Sequence, residues 1–236
     1  MTAYNVAKTI EKTYRAIPPG SYDEILVVDD GSSDNTAEIA WKLGLKVVSH
    51  EKNKGYGAAQ KTLFNQALRF GADIIVLLHP DYQYDPSAVP AITAPLLRDE
   101  ADLVYASRML VPGMAKAGGM PWWKRIGNRA LTKFFNVMLS IHLTDVATGY
   151  IAYKRKVLES IPFMENDNRY CFDEQVIIQA AKRKFRMAEI AIPSRYEDKQ
   201  TSLNFLKAVK YGARLFGEVI IYKLHQLKIV PAKRFS

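Results

Sequence analysis

One segment carries most of the structural information in this chain: Ile74-Ile75-Val76-Leu77-Leu78-His79-Pro80-Asp81-Tyr82-Gln83-Tyr84-Asp85-Pro86. Its first five residues are apolar, which is typical of a strand buried in a parallel sheet. The loop that follows carries His79, Asp81, Gln83 and Asp85, at the carboxyl end of the strand, where open α/β sheets bind their ligands. Asp81 and Gln83, together with His79, could hold a divalent cation against a diphosphate, although Asp and Pro also form simple turns.

A second strand–loop pair lies upstream. The apolar run Glu24-Ile25-Leu26-Val27-Val28 ends in Asp29-Asp30-Gly31-Ser32-Ser33-Asp34-Asn35-Thr36, and a helix is predicted from Ala37 to Leu43. Asp34 or Ser33 can cap that helix. Capping does not explain two adjacent carboxylates at a strand end, where an acid can accept a hydrogen bond from a base or a ribose hydroxyl.

A third strand, Lys46-Val47-Val48-Ser49-His50, leads into Asn53-Lys54-Gly55-Tyr56-Gly57-Ala58-Ala59-Gln60-Lys61. This glycine loop opens onto a predicted helix. Its amides and Lys54 or Lys61 would suit a phosphate, and a common glycine turn is the alternative interpretation.

The three loops, in this order, resemble those of glycosyltransferase family 2, which has the GT-A fold, and most closely its polyprenyl-phosphate sugar synthases of the dolichol-phosphate mannose synthase type. Further matching motifs are Ala3-Tyr4-Asn5, Ala106-Ser107-Arg108, Met120-Pro121, Gly127-Asn128-Arg129 and Thr148-Gly149-Tyr150. The resemblance runs from about residue 3 to about residue 205. It implies a Rossmann-like α/β domain with a mostly parallel sheet flanked by helices, spanning residues 1–200, followed by a C-terminal amphipathic helix at 201–236.

The resemblance also implies roles for individual residues. Asp30 would contact the nucleotide base with Asp29 beside it, Tyr4 and Asn5 would contact the nucleotide, and Lys61 would lie near the diphosphate. Asp81 matches the second acid of the metal motif and Gln83 its metal-side glutamine, so Mg²⁺ or Mn²⁺ is the expected cofactor. His79 replaces the first acid; imidazole is a poor Mg²⁺ ligand, and a structural role for His79 is the alternative to a metal-binding one.

The N-terminus departs from the family pattern. Family members begin with an apolar strand, whereas this sequence opens Met1-Thr2-Ala3-Tyr4-Asn5-Val6. We therefore expect the first strand to be missing, either because the chain is shortened or because it folds without that strand.

Composition sets limits on the class of protein. A chain of 236 residues with 48% hydrophobic content can bury one substantial core. The single cysteine, Cys171, excludes an internal disulfide and fits a reducing cytoplasm. No signal peptide and no uncharged apolar run of the roughly 18 to 20 residues that a spanning helix needs is present. We expect a cytoplasmic protein that is soluble or peripheral on the membrane face.

The net charge of +9 is concentrated in two regions. No acid lies between Asp102 and Asp145, where Trp122 and Trp123 occur beside many basic residues. A mobile loop of this kind suits a membrane edge and an anionic head group, and a solvated basic loop is the alternative. With the family resemblance, the candidates to hold an acceptor phosphate are Arg108, Arg125 and Arg129.

The second basic region lies between Leu203 and Val230, where apolar residues recur close to helical spacing and Glu218 is the only acid. Such a helix can lie in a membrane interface, cap the domain or pair with a second subunit. No recognition helix, zinc pattern or aromatic RNA platform is present, so we expect no nucleic acid partner.

The predicted reaction is a metal-dependent, inverting transfer of a hexose from a nucleotide diphosphate sugar, of the GDP-mannose or UDP-glucose type, to a polyprenyl or dolichyl phosphate. The catalytic candidates are Asp81, Arg108, Arg129 and Asp173. A sugar hydroxyl acceptor would require a general base, for which Asp173 or Glu174 is the candidate; the alternative for Asp173 is a role in capping or in the first turn of a helix. A non-catalytic binding protein on a degenerate GT-A fold is the remaining alternative.

Overall fold

The structure, a computed structural model, describes residues 1–193, 195–196 and 205–236, and the side chains of these residues except 205–207. Strands and helices alternate along most of the chain. In chain order they are β1 (Thr2–Ala3), α1 (Ile10–Arg15), β2 (Leu26–Asp29), α2 (Thr36–Lys42), β3 (Lys46–Ser49), α3 (Tyr56–Arg69), β4 (Ile74–Leu77), α4 (Val89–Leu97), β5 (Leu103–Ser107), α5 (Met114–Ala117), α6 (Trp122–Leu139), β6 (Ile151–Lys154), α7 (Arg155–Ser160), α8 (Phe172–Lys182), β7 (Met187–Ala191) and α9 (Phe205–Gln226).

The strands form two sheets whose pairing fixes the direction of each chain segment. β1, β2 and β3 lie side by side and are all parallel. The second sheet has the order β4-β6-β5-β7, with β6 antiparallel to both of its neighbours and β7 parallel to β5. Since β4 and β5 are both antiparallel to β6, they point the same way. The His79 loop and Arg108 therefore leave the sheet at the same edge.

Helices cover both faces of these sheets, in agreement with the predicted α/β class. On β5, Leu103 and Tyr105 belong to a core cluster with residues of α3, α6, α8 and α9, whereas Val104 and Ala106 pack with residues of α1, α2 and α4. This alternation is the period of two expected of a strand buried on both sides. The predicted fold class is confirmed.

The first strand, expected to be truncated or lost, is present as a short strand. Thr2 and Ala3 form a short strand that pairs in parallel with Val28 and Asp29 of β2. Residues 1–3 provide hydrogen-bond partners for β2, because the Met1 carbonyl accepts from the Val28 amide and the Ala3 carbonyl from the Asp30 amide, each at 2.8 Å.

The basic region predicted as a mobile loop is helical over most of its length. Trp122 opens α6, an 18-residue helix that continues to Leu139. Leu131 and Phe135 are buried at i and i+4 spacing against the core. The burial of these two side chains stabilises the helix, although the glycines and tryptophans of this region had favoured a loop.

The C-terminal helix α9 packs on the rest of the chain. Leu215 and Val219 are buried, and the Phe216 ring lies 4.5 Å from the ring of Phe134 in α6. The expected boundary at residue 200, and Leu203, fall outside the described residues. No helix in the described parts of the chain combines the length and apolar character that crossing a bilayer requires.

Candidate active site

The site begins at the end of β2, where a serine-rich loop wraps around the first carboxylate. Asp29 accepts hydrogen bonds from the amide and the hydroxyl of Ser32. Asn5 secures the same loop from β1, because its backbone amide donates to Ser32 Oγ at 2.9 Å and its Oδ1 accepts from the Ser33 amide at 2.9 Å. Tyr4 beside it is 50% exposed, so its ring is available to a planar ligand. The predicted nucleotide residues Tyr4, Asn5 and Asp29 therefore lie together.

Asp30 is buried and has protein partners on both of its oxygens. Its Oδ1 accepts from the Lys54 amide and its Oδ2 from the Gly55 amide, each at 2.9 Å. The His50 ring contributes a third contact, with Nδ1 at 2.7 Å from Oδ1. Asp30 thus ties β2, β3 and the glycine loop together. A direct contact of Asp30 with the base stays a prediction. The sequence had suggested that the glycine-loop amides bind a phosphate, but the amides of Lys54 and Gly55 are used by Asp30.

The glycine loop packs tightly against residues 167–169. A Cβ added to Gly57 would lie 2.2 Å from the Asp167 carbonyl oxygen, and one added to Gly55 would lie 2.4 Å from that of Asn168. Glycine is therefore required at both positions by close packing. Lys61 reaches the same segment, donating to the Asn166 carbonyl and to Asn168 Oδ1 at 2.7 Å. Its predicted contact with a diphosphate would need those hydrogen bonds to be exchanged.

A hydrogen-bonded chain connects the β4 loop to the start of α8. Nε2 of His79 lies 3.0 Å from the hydroxyl of Tyr56, and that hydroxyl donates to Asp173 Oδ2 at 2.7 Å. Gln60, one helical turn after Tyr56 on α3, donates to Asp173 Oδ1 at 2.8 Å. Both oxygens of Asp173 are therefore occupied, and the side chain is buried. Burial raises the pKa of Asp173, against the opposing effects of the Tyr56 and Gln60 hydrogen bonds.

This chain of hydrogen bonds determines how His79 is used. With the Tyr56 proton on the Asp173 side, the phenol oxygen accepts from a protonated Nε2 of His79, so that nitrogen has no lone pair for a metal. Gly149 lies against the same nitrogen, and a Cβ added there would be 2.5 Å from Nε2. The geometry favours the structural interpretation of His79, and only Nδ1 is left as a potential ligand atom.

The expected cation site has few protein ligands of its own. Asp81 Oδ1 accepts from the Gln83 amide at 3.0 Å, and Oδ2 makes no hydrogen bond to the described residues. Within that part of the chain, no three His, Cys, Asp or Glu side chains converge to hold a metal. A single carboxylate fits Mg²⁺ or Mn²⁺ when the phosphates of a substrate supply further oxygens. The role of Gln83 stays a prediction.

Arg108, predicted to hold an acceptor phosphate, is buried in an ion pair. Its Nε and Nη2 donate to the two oxygens of Asp145 at 2.7 and 2.9 Å, and Nη1 donates to the Tyr196 hydroxyl at 2.9 Å. Asn128 supports the pair by donating to Asp145 Oδ1 at 2.7 Å. Burial opposes ionisation of Asp145, but the guanidinium outweighs it and lowers the pKa of the carboxyl. Most donors of Arg108 are therefore already used.

A basic pocket follows the carboxyl end of β5. Its lining includes the side chains of Lys116 on α5 and of Arg125 and Arg129 on α6, together with Met109 and Val111. The Nε of Arg125 is buried and has no hydrogen-bond partner among the described residues. A buried guanidinium N–H without an acceptor is unfavourable, and an anionic oxygen brought there by a ligand would satisfy it.

A second buried acid lies behind the site, next to Asp173. Glu174 accepts a hydrogen bond from the hydroxyl of Tyr211 on α9, and its Oε2 has no partner in the described structure. Burial, followed by the nearby charge of Asp173, raises the pKa of Glu174 to about 8. Glu174 thus faces the C-terminal helix.

Sequence reasoning did not identify the partners that hold these residues. His50, Gln60 and Tyr196 have no local motif that marks them, since each contact joins segments distant in sequence. Tyr56 could have been found, because it lies inside the glycine loop and Gln60 follows at i+4, on the same face of α3.

The alternation of strands and helices, with Asp81 and the basic pocket at one edge of the second sheet, places the fold among the GT-A nucleotide-sugar transferases. The chain belongs to glycosyl transferase family 2, whose model matches residues 1–162. It is therefore a glycosyltransferase, as the sequence predicted, and the non-catalytic alternative is not supported.

Named relatives and solved structures extend this comparison. The chain is 28% identical to a UDP-N-acetylglucosamine–dolichyl-phosphate N-acetylglucosaminyltransferase of Methanococcus voltae, over 94% of each protein. It is 31% identical to a polyprenol monophosphomannose synthase of Mycolicibacterium smegmatis, over 71% of this chain and 65% of that protein. A glucosyl-3-phosphoglycerate synthase of Mycobacterium tuberculosis, solved with Mn²⁺, UDP-glucose and phosphoglyceric acid, has a TM-score of 0.70 at 22% identity, covering 98% of this chain and 79% of that one. At this identity the likeness shows the fold alone.

Proposed function

We propose that this glycosyltransferase moves a hexose, or an N-acetylated hexosamine, from a nucleotide diphosphate sugar to a polyprenyl phosphate. The similar full-length relative from Methanococcus voltae carries UDP-N-acetylglucosamine and dolichyl phosphate in its name, which supports both halves of the proposal. The donor base would lie beside Tyr4 and Asp29, where an exposed ring and a carboxylate meet at the end of β2.

The observation that carries the acceptor assignment is the buried, unpartnered Nε of Arg125 in the basic pocket. Lys116 and Arg129 contribute further positive charge there, and the sequence has no acid between Asp102 and Asp145. Arginine binds phosphate through two parallel N–H donors, so the charge of this pocket suits a phosphate at the end of a lipid better than a neutral sugar.

The state of Asp173 supports the same choice. A hydroxyl acceptor needs a base that it can reach, and Asp173 is buried with its two oxygens held by hydrogen bonds from Tyr56 and Gln60. A phosphate acceptor is already anionic and needs placement more than proton removal. Attack of its oxygen on the anomeric carbon, in one displacement, would invert the configuration there.

The departing nucleotide accumulates negative charge on its diphosphate. A bound Mg²⁺ or Mn²⁺ would act as a Lewis acid that stabilises this charge. Asp81 would hold the ion through Oδ2, while the backbone amide of Gln83 fixes the carboxylate by donating a hydrogen bond to Oδ1. Lys61 would add positive charge nearby once it exchanges its bonds to residues 166 and 168.

A mass-spectrometric transfer assay tests the proposal. Purified protein with Mn²⁺ or Mg²⁺ is given UDP- and GDP-sugars, UDP-N-acetylglucosamine first, and a polyprenyl phosphate in detergent. We expect a glycosylated lipid phosphate whose formation stops on chelation of the metal. Binding of a nucleotide sugar without any transfer to the lipid would contradict the acceptor assignment and would direct the search to saccharide acceptors.

A further inference from the structure

Tyr56, the first residue of α3, links the loop after β4 with the start of α8. Its hydroxyl donates to Asp173 Oδ2 at 2.7 Å, and Nε2 of His79 lies 3.0 Å from the same phenol oxygen. A phenol has one proton to give, and that proton is used on Asp173. The His79 ring is therefore the donor in the second contact. Gln60 holds the other oxygen of Asp173 at 2.8 Å, so the acceptor end of this link is fixed.

The ring of Tyr56 is held by packing that does not involve its hydroxyl. It packs against the His79 ring, with centroids 5.3 Å apart, and against the Tyr170 ring, which is stacked on it at 6.1 Å and 25°. Gly57, the next residue, is closely packed, since a Cβ added to it would lie 2.2 Å from the Asp167 carbonyl oxygen. A phenylalanine at position 56 should therefore keep the ring in place and remove the hydroxyl alone.

The loop that carries Asp81 is held by two different helices. The carbonyl oxygen of Pro80 accepts hydrogen bonds from the hydroxyls of Thr9 at 2.6 Å and Thr13 at 3.2 Å, at the start of α1 and within it. His79, one residue earlier, is held by the phenol at the start of α3. Asp81 follows directly, so two anchored residues place its carboxylate. A group that binds a metal must be held within about 0.5 Å of its working position.

We propose that Tyr56 is a positioning residue for the nucleotide diphosphate donor. Its hydroxyl holds His79, and the backbone from His79 to Asp81 passes that constraint to the carboxylate expected to hold the metal ion beside the diphosphate. Histidine at this place, where the family motif has an acid, thus anchors the loop and leaves metal binding to the residues after it. The role toward the donor rests on the proposed function, whereas the hydrogen bond from His79 to Tyr56 can be tested without it.

Histidine NMR on ¹⁵N-labelled protein without added metal tests the hydrogen bond. The chain has four histidines, and the signals of His79 are assigned by their loss in His79→Leu. We expect the proton on Nε2 of His79 in the unaltered protein, and changed shifts of both ring nitrogens in Tyr56→Phe. Tyr153→Phe is the matched control, because that hydroxyl is also buried but has no hydrogen-bond partner among the described residues. A proton on Nδ1 in the unaltered protein would overturn the inference, since Nε2 would then accept from Tyr56.

Calorimetry with nucleotides measures the effect on the donor side. UDP and GDP are titrated into the unaltered protein and into Tyr56→Phe, each with Mn²⁺ and with a chelator. We expect the variant to bind the preferred nucleotide about tenfold more weakly with Mn²⁺ and equally well with the chelator, because only the metal contact passes through Asp81. Tyr153→Phe should match the unaltered protein in both conditions. An equal loss with and without the metal would indicate a general change of the nucleotide pocket and would overturn the inference, as would no loss at all.

Kinetics and a double variant complete the test. Tyr56→Phe should raise the KM for the donor and leave the KM for the acceptor unchanged. Adding it to His79→Leu should weaken nucleotide binding with Mn²⁺ no further than His79→Leu alone, since both changes break the same link, and additive losses would contradict the inference. If the unaltered protein binds neither nucleotide, the donor half of the proposed function fails, and with it the role of Tyr56. If binding follows the expectation but no lipid phosphate is glycosylated, only the acceptor half of the proposed function fails.

Discussion

Replacing Arg108 by Gln tests whether this arginine is part of the scaffold or a ligand for the acceptor. Asp145 is fully buried, and Arg108 supplies hydrogen bonds to both of its oxygens. Removing one partner of a buried pair leaves an uncompensated charge and costs about 3–5 kcal/mol. In a domain of this size each kcal/mol lowers the melting temperature by roughly 2–4 °C. We therefore expect a fall of about 6–20 °C.

Calorimetry or circular dichroism of the single and double variants makes this test specific. Adding Asp145→Asn to Arg108→Gln removes the unpaired charge and should restore part of the lost melting temperature. Arg129→Gln is the matched control, because that side chain is exposed and should leave the melting temperature unchanged while it weakens transfer. An Arg108→Gln protein that melts normally but has lost transfer would refute the structural interpretation and favour phosphate binding.

The remaining predictions concern three acids of the site. Asp81→Asn keeps an acceptor for the backbone amide of Gln83 but loses the negative charge, so we expect transfer to fall by about 100-fold or more at an unchanged melting temperature. Asp85→Asn in the same loop is the control. Unaltered activity of the Asp81 variant would exclude the metal assignment. Asp173→Asn should reduce transfer to a lipid phosphate by less than about tenfold, and complete loss of turnover in a correctly folded variant would indicate a base-requiring hydroxyl acceptor. Glu174 binds its proton more tightly when folded, so its contribution to stability is complete below pH 4.5 and is lost as the pH rises to about 8. The free energy of unfolding of Glu174→Gln should therefore rise relative to that of the unaltered protein by about 1.4 kcal/mol for each pH unit between 5 and 7. A difference in melting temperature between the two proteins that does not change with pH would contradict the raised pKa.

The strands and their loops could be predicted because their signals are local. The apolar runs at 24–28, 46–50 and 74–78 correspond to β2, β3 and β4 within one or two residues. Polar residues placed directly after such runs meet at one sheet edge by geometry alone. The order of the three loops matched the family pattern and identified the fold. A single glycine turn or a single pair of acids would not have been specific enough.

The remainder depends on contacts between distant segments. Nothing near Arg108 in the sequence indicates that Asp145, 37 residues later, will neutralise it. The antiparallel direction of β6 follows from the path of the chain between Leu139 and Ile151, which local propensity does not encode. For α6, the glycines at 118 and 119 favoured a loop, whereas the buried contacts of Leu131 and Phe135 determine the helix.

The close approach of Gly149 to His79 makes two distant positions dependent on each other. With only 2.5 Å between a would-be Cβ and the imidazole nitrogen, residue 149 can gain a side chain only if residue 79 becomes smaller or turns away from Tyr56. Across relatives of this enzyme the two positions should therefore covary, with histidine at the first accompanied by glycine at the second. A histidine without that glycine would mark a lineage in which the link to Asp173 has been rebuilt from other residues.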